Sequence, residues 1–346
     1  MILREVTNRI AKYEELKLGL GLHINTYSSK ELAEYFIKKT TIPKEGINLT
    51  EYARQYIAKL KANGKKGTAE CIRYTINSIH KFARTDNIYF SEITVKFLQD
   101  YEQWLLNNGV KGRGISLYTG NIRLLFNRAR DEYNDDDRGD IQIPNYPFRK
   151  YKISQAPQPE KRALAVEQLR AIKNYTPVNT RDALARDIFM LSFYLVGMNS
   201  ADLYIAPKPS DGRITYNRAK TKDRRADKAK ISIKIEPEAQ SIIKKYAGRE
   251  RLLNLCQKYA NERGLNSSLN KGLKTIGNTL NIHRLTFYAA RHSWATIAVN
   301  DCGIPKSDVH EALNHVDEKM KITDVYIRKD WSRIDKANRE VLNFLI

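Results

Sequence analysis

Three reactive side chains gather near the end of the 346-residue chain, Arg291, His315 and Tyr326. They are a guanidinium, an imidazole and a phenol, and the sequence sets each at the margin of a helix. Thr286 reads as an N-cap, after which Phe287, Ala290, Trp294, Ile297 and Ala298 recur at helical spacing. Arg291 falls beside that apolar stripe, and Tyr288, three residues earlier, shares its face. Gly303 reads as a helix stop and Pro305 opens a second helix at a position with no amide hydrogen bond to lose. Val309, Ala312 and Leu313 make its inner face, and it ends at Asn314-His315. A polar loop leads to Thr323, a second N-cap, placing Tyr326 in the first turn of a third helix. Short connections between helices that carry reactive groups are how a site is built.

These residues resemble the tyrosine recombinase (phage integrase) family. Arg291-His292-Ser293 matches its R-H-T/S core, Leu313-Asn314-His315 its L-G-H motif, and Thr323-Asp324-Val325-Tyr326 its T-x-x-Y nucleophile. Upstream, Gly197-Met198-Asn199-Ser200-Ala201-Asp202-Leu203 matches box I, G-M-R-x-x-E/D-L. The resemblance spans roughly residues 48–346 and looks closest to integrases of conjugative transposons and related mobile elements.

Strand exchange in DNA without a high-energy cofactor requires that the energy of the broken phosphodiester be kept, and a covalent protein–phosphate link keeps it. The resemblance implies Tyr326 as nucleophile, Arg291 as phosphate clamp, His315 as hydrogen-bond donor to the phosphate and Lys220 as general acid for the leaving 5′-hydroxyl. Tyr288 stands where box II has its first histidine, and its phenol can still donate a hydrogen bond. Asn199 stands where box I has its arginine, and it cannot fork onto a phosphate. Arg218 is the expected substitute, because residues two apart on a strand share a face and Lys220 matches the general acid. Its alternative role is a contact to the DNA backbone. Lys222, Arg224 and Arg225 on the same hairpin, Lys65 and Lys66 further upstream, and His292 are expected DNA-binding residues. Taken singly, each has an ordinary structural reading. The chain has 20 tyrosines, a helical arginine usually makes a salt bridge, and a histidine after a helix usually caps it. Their order and joint spacing carry the reading.

The elements that must position these groups form two domains. Residues 1–47 read as a lead-in with one helix around Ser29–Lys39. Within 48–134, four apolar stripes (Tyr52, Tyr56, Ile57, Leu60; Ile72, Ile76, Ile79, Phe82; Phe97, Leu98, Tyr101, Trp104, Leu105; Ile122, Leu125, Phe126, Ala129) predict a helical bundle. The resemblance makes it a SAM-like core-binding domain. Residues 135–162, rich in proline and without period, read as a linker. Residues 163–346 would be the catalytic domain. It contains a helix at Ala163–Asn174, a buried helix at Ile188–Val196, and strands at Arg213–Lys220 and Lys230–Ile235. Helices are predicted at Pro237–Ala247, Glu250–Gly264 and Leu269–Leu280. The last stripe, Ile334, Ala337, Val341 and Leu345, needs a partner surface, and the resemblance implies a neighbouring protomer. The fold class is thus mainly α, with an α+β catalytic domain holding a small antiparallel sheet.

Sixty basic against 39 acidic residues give a net charge of +21 and a pI near 9.7, spread along the chain, which favours a long anionic partner. No apolar run reaches membrane-spanning length and Met1-Ile2-Leu3-Arg4 does not begin a signal peptide. Cys71, Cys256 and Cys302 lack metal-ligand or disulfide spacing, so no metal or cofactor is expected. The expected partners are double-stranded DNA, a dimer on each core site and a homo-tetramer in the synapse, with a host DNA-bending protein and an excision factor in attendance. The expected location is the bacterial cytoplasm, on the nucleoid. Rival readings are a type IB topoisomerase-like activity and a catalytically impaired DNA-binding protein of the same fold.

Overall fold

The computed structural model describes residues 2–41, 46–158, 160–315 and 329–345. They divide into two compact units, Met1–Pro159 and Glu160–Ile346.

The first unit is helical. Helices α1 (Ile2–Leu20) and α2 (Ser29–Thr41) precede a bundle of α3 (Leu49–Ala62), α4 (Lys66–Ala83), α5 (Val95–Asn107) and α6 (Gly112–Tyr133). Side-chain caps start two of them: Asn48 accepts the Glu51 amide hydrogen (2.9 Å) and Thr94 that of Phe97 (3.1 Å). From the four stripes, Tyr52, Ile72, Ile79, Leu98, Tyr101, Ile122 and Phe126 are buried together, each such aliphatic or phenylalanine side chain contributing about 1.5–3 kcal/mol. Helix α1 is an addition to the single leading helix expected. Its Val6, Ile10 and Leu18 remain exposed, so these apolar positions mark no core-facing stripe. The expected linker is also more ordered than its composition suggests. Ile143, Phe148 and Tyr151 enter the bundle core, while Arg130 and Asn134 hold the carbonyl of Ile143 at 2.7 and 3.1 Å. A strap fastened by single side chains leaves no period in the sequence.

The second unit runs α7 (Val166–Asn174), α8 (Thr180–Tyr194), α9 (Ser200–Ile205), β1 (Arg213–Asn217), β2 (Lys230–Lys234), α10 (Pro237–Lys245), α11 (Leu255–Lys258), α12 (Glu262–Thr279), α13 (Ala289–Asn300), α14 (Lys306–Ala312) and α15 (Trp331–Leu345). Helix α8 is buried nearly all round, as its apolar run predicts, and starts at Thr180 because Asn179 caps it through the Asp182 amide (2.9 Å). Helix α12 lies against it so closely that a Cβ on Gly272 would stand 2.5 Å from that of Ala185. The strands pair antiparallel, from Arg213 opposite Lys234 to Asn217 opposite Lys230.

Three expectations are corrected here. Glu250–Gly264 is not one helix: Arg251 and Leu253 bridge to Pro207 and Ala247, and two successive buried leucines, Leu252 and Leu253, suit extended backbone better. Strand β1 ends at Asn217, so Arg218 and Lys220 do not share a strand face. The Arg218 amide still bonds the Ala229 carbonyl (3.1 Å), after which the chain turns. The tail stripe docks in its own unit, where Ile334, Ala337, Val341 and Leu345 are all buried in the core. Asn338 fixes it there, accepting from Trp294 Nε1 (2.8 Å) and donating to the Tyr194 carbonyl (3.0 Å). The periodicity of such a stripe says that it needs a surface, not which one. Asp335 then ties α15 to the hairpin through a two-pronged pair with Arg213 (2.5 and 3.1 Å). No helix among the described residues is long and apolar enough to cross a membrane.

Candidate functional site

Helix α13 begins at Ala289, later than the sequence suggests. Thr286 does not cap it: its backbone carbonyl accepts the Ala289 amide (2.9 Å), while its buried hydroxyl has no hydrogen-bond partner among the described residues. This start turns Arg291 inward, where it is 7% exposed. Its Nη1 donates to the Gly197 carbonyl (3.2 Å) and its Nη2 to that of Leu313. One guanidinium thereby joins the box I turn to the end of α14. Gly197 is required for that approach. Its φ is +67°, and a Cβ there would lie 2.6 Å from the Arg291 Cα. The preceding Val196 also has a left-handed φ of +58°, a costly conformation for a β-branched residue and of the kind stored at functional sites.

Arg218 is the second cation. It is 9% exposed, and among the described residues its guanidinium makes no hydrogen bond or ion pair. Buried Asp202 accepts the Ala219 amide hydrogen (2.9 Å). Burial raises the carboxyl pKa of Asp202, against the pull of Arg218 and Arg291. Arg291 is lowered from the usual arginine range by burial and then by repulsion from Arg218. Tyr216 belongs to the same group. Burial raises its phenol, with Asp202 adding to the effect and the two arginines opposing it. A cavity of about 570 Å³ opens over Asp202 and Arg218, lined also by Arg162, Asn199, Lys220 and Tyr288 among others. Lys220 is exposed at this cavity and Tyr288 is 40% exposed. Asn199 precedes α9 without a side-chain capping bond.

His315 follows Asn314, whose φ of +52° ends α14 in a left-handed turn. Its ring meets that of His310 edge to face at 5.0 Å. Although His315 keeps an exposed edge, burial, Arg291, His310 and Arg218 together lower its pKa to about 4. The imidazole is therefore neutral at physiological pH, with one donor and one acceptor nitrogen. His292 stacks edge to face on Tyr288 (4.8 Å), its pKa lowered by burial, Arg162 and Arg291.

The structure thus brings Asn199, Arg218, Lys220 and Tyr288 around one cavity, with His292 against Tyr288, Arg291 within electrostatic reach of Arg218, and His315 within reach of both arginines. Tyr326 and its Thr323 cap lie outside the described residues. Lys222 and Arg224 are exposed on the hairpin loop, whereas Arg225 is engaged with Asp227 and the Asn314 carbonyl. Lys65 and Lys66 sit exposed at the start of α4 in the first unit. Among the described residues no cluster of His, Cys, Asp and Glu could hold a metal ion. Sequence reasoning missed Arg162 and Tyr216. Tyr216 precedes Arg218 by two residues on the hairpin, a signal that was available; Arg162, in an aperiodic stretch, gave none.

Residues 48–138 match the phage integrase SAM-like domain. No curated protein matches the chain by sequence. Lambda integrase (residues 75–356), solved as a dimer bound to a COC′ core site, superposes with a TM-score of 0.56 at 15% identity, covering 82% of this chain and 98% of that one. The Tn1549 transposon integrase in complex with transposon right end DNA gives 0.54 at 12% identity, covering 86% and 100%. A lambda integrase tetramer bound to a Holliday junction gives 0.55 at 16%, covering 83% and 80%. The chain has the fold of these proteins, a helical SAM-like bundle followed by a mainly α unit with a small antiparallel sheet, and the resemblance read from the motifs holds at the level of the fold.

Proposed function

We propose that this chain is a tyrosine-type site-specific DNA recombinase that cuts and rejoins double-stranded DNA for integration and excision of a mobile element. The observation that carries the reading is the neighbourhood of Arg291 and a second buried arginine, Arg218, beside one carboxylate, with Arg218 lining an open cavity. Two neighbouring guanidiniums repel each other unless an anion comes between them. A phosphodiester is such an anion, and its transition state carries more charge still.

In the proposed reaction the Tyr326 phenol attacks phosphorus, its proton passing to solvent, and the bond from phosphorus to the 5′-oxygen breaks. Lys220, exposed at the cavity, protonates the departing 5′-oxygen. A guanidinium has five N–H donors. Arg291 commits two of its own to backbone carbonyls, which hold it rigid and leave three for the phosphate. Arg218 supplies a fork that Asn199 cannot. Neutral His315 donates one hydrogen bond without adding to the cationic repulsion. Attack of another strand's 5′-hydroxyl on the phosphotyrosine reverses these steps and completes exchange. Tyr288, His292, Lys222 and Arg224 would contact the flanking backbone, and Lys65 and Lys66 the duplex on the first unit. By analogy with the lambda integrase assemblies, two protomers would occupy a core site and four a synapse, in the cytoplasm on the nucleoid, with a host bending protein and an excision factor as accessory partners.

The reading is tested with a duplex nicked near the crossover, from which the short 5′-hydroxyl fragment diffuses away after cleavage. A covalent adduct on a denaturing gel is expected, and recombinant joints between two intact sites separate recombination from a topoisomerase-like activity. Stoichiometric binding with no adduct would leave only a DNA-binding protein of this fold.

A further inference from the structure

Residues 316–328, which include Tyr326, are bounded by His315 and Lys329. Both flanks are fastened to one loop, the connection between β1 and β2. Upstream, Asn314 donates Nδ2–H to the Ala229 carbonyl (3.0 Å), and its own carbonyl accepts from Arg225 Nη1 (3.1 Å). Downstream, Lys329 Nζ reaches Asp227 Oδ2 (3.3 Å) and lies over the Trp331 ring at 5.7 Å. The two sides meet at Asp227. Its carboxylate accepts Arg225 Nε (2.8 Å) and Nη2 (2.5 Å) as well as Lys329. It also accepts the Ala229 amide hydrogen (2.9 Å), which holds the loop where Lys228 and Ala229 take left-handed φ values of +52° and +50°. The Arg225 bonds, above all, keep this carboxyl well below the ordinary carboxylate range, so it stays ionised.

Apart from Asp223 and Asp227, the charged side chains from Arg218 to Lys230 are all basic. A loop selected only to grip DNA would have no use for a carboxylate that consumes one of its cations, Arg225, and draws in another from outside it, Lys329. We infer that Asp227 is a positioning residue, one carboxylate that fixes both flanks of the segment bearing Tyr326 against the hairpin bearing Lys220. The inference rests on the reading of Tyr326 and Lys220 given above. Phenol and acid must stand on opposite sides of one phosphorus, and small displacements of either are costly in rate. A shared anchor would set that separation.

The test measures single-turnover adduct formation on the nicked duplex at saturating protein, with duplex affinity in parallel. The set is the parent, Lys329→Ala, Asp227→Ala, Asp227→Glu, the Lys329→Ala/Asp227→Ala double variant and Tyr326→Phe. Removing one partly exposed pair is expected to slow cleavage about fivefold in Lys329→Ala, and removing both about tenfold in Asp227→Ala. The double variant should be no slower than Asp227→Ala, since the two act through one contact. Asp227→Glu should recover most of the rate. Affinity in Asp227→Ala should be equal or tighter, because an acid has been removed beside DNA. Cleavage at the parent rate in either single variant, or multiplied effects in the double, would overturn the inference while leaving the recombinase reading intact. An adduct in Tyr326→Phe would overturn that reading and with it the inference.

Discussion

Replacing Arg218 with alanine probes the least conventional part of the site. In the resting protein this guanidinium makes no hydrogen bond among the described residues, so nothing is broken by its removal. Its electrostatic effects there oppose one another. Asp202 loses one of two nearby cations, and Arg291 is relieved of a like charge. Fold stability should therefore change little. In the proposed transition state the sign would be uniform, with both arginines acting on the same added charge. A missing preorganised donor costs about 2.7–4 kcal/mol, which is about 10²–10³-fold in rate. Arg218→Lys keeps the charge but not the fork and should fall between. Asn199→Ala, which removes no charged donor, should have a much smaller effect. Single-turnover cleavage of the nicked duplex, with binding measured separately, reads all three. Cleavage by Arg218→Ala at the parent rate would refute the reasoning and shift attention to Arg162 at the same cavity.

Three further outcomes are expected. By NMR the His315 imidazole should remain neutral at pH 6, titrating near its lowered value of about 4. Since the unfolded imidazole protonates first, its contribution to stability is present above about pH 6.5 and lost as pH falls toward 4. An ordinary titration near 6.5 would contradict the burial and the two arginines. Gly197→Ala should destabilise the second unit by at least about 2 kcal/mol in urea melts, combining left-handed strain with the clash against Arg291. It should also impair cleavage more than binding. Leu342→Ala in α15 should cost the isolated monomer about 2–5 kcal/mol, since Leu342 is 1% exposed in its own core; an unchanged melt would place α15 on a neighbouring protomer instead.

Much of this site was legible because it lies on helices with strong apolar stripes. Trp294 and Ile297 locate α13, and Val309 and Ala312 locate α14, so the placement of Arg291 and His315 followed. The bundle was legible for the same reason. What escaped was decided by single contacts rather than by period. Strand alternation was the wrong ground for pairing Arg218 with Lys220, because β1 stops at Asn217; the turn nevertheless leaves both residues at the cavity. Tyr216 was overlooked because a tyrosine on a strand reads as packing. The destination of α15 depended on Asn338 finding Trp294 and Tyr194, a match across 44 and 144 residues of sequence. No local pattern encodes it.

The central claim, phosphotyrosine chemistry at Tyr326, is tested most directly by mapping the covalent adduct. After trapping on the nicked duplex, nuclease and protease digestion should leave a nucleotide remnant on the peptide containing Thr323-Asp324-Val325-Tyr326. Tyr326→Phe should bind the same duplex with parent affinity and yield no adduct. A remnant on any other peptide, or an adduct persisting in Tyr326→Phe, would contradict the account.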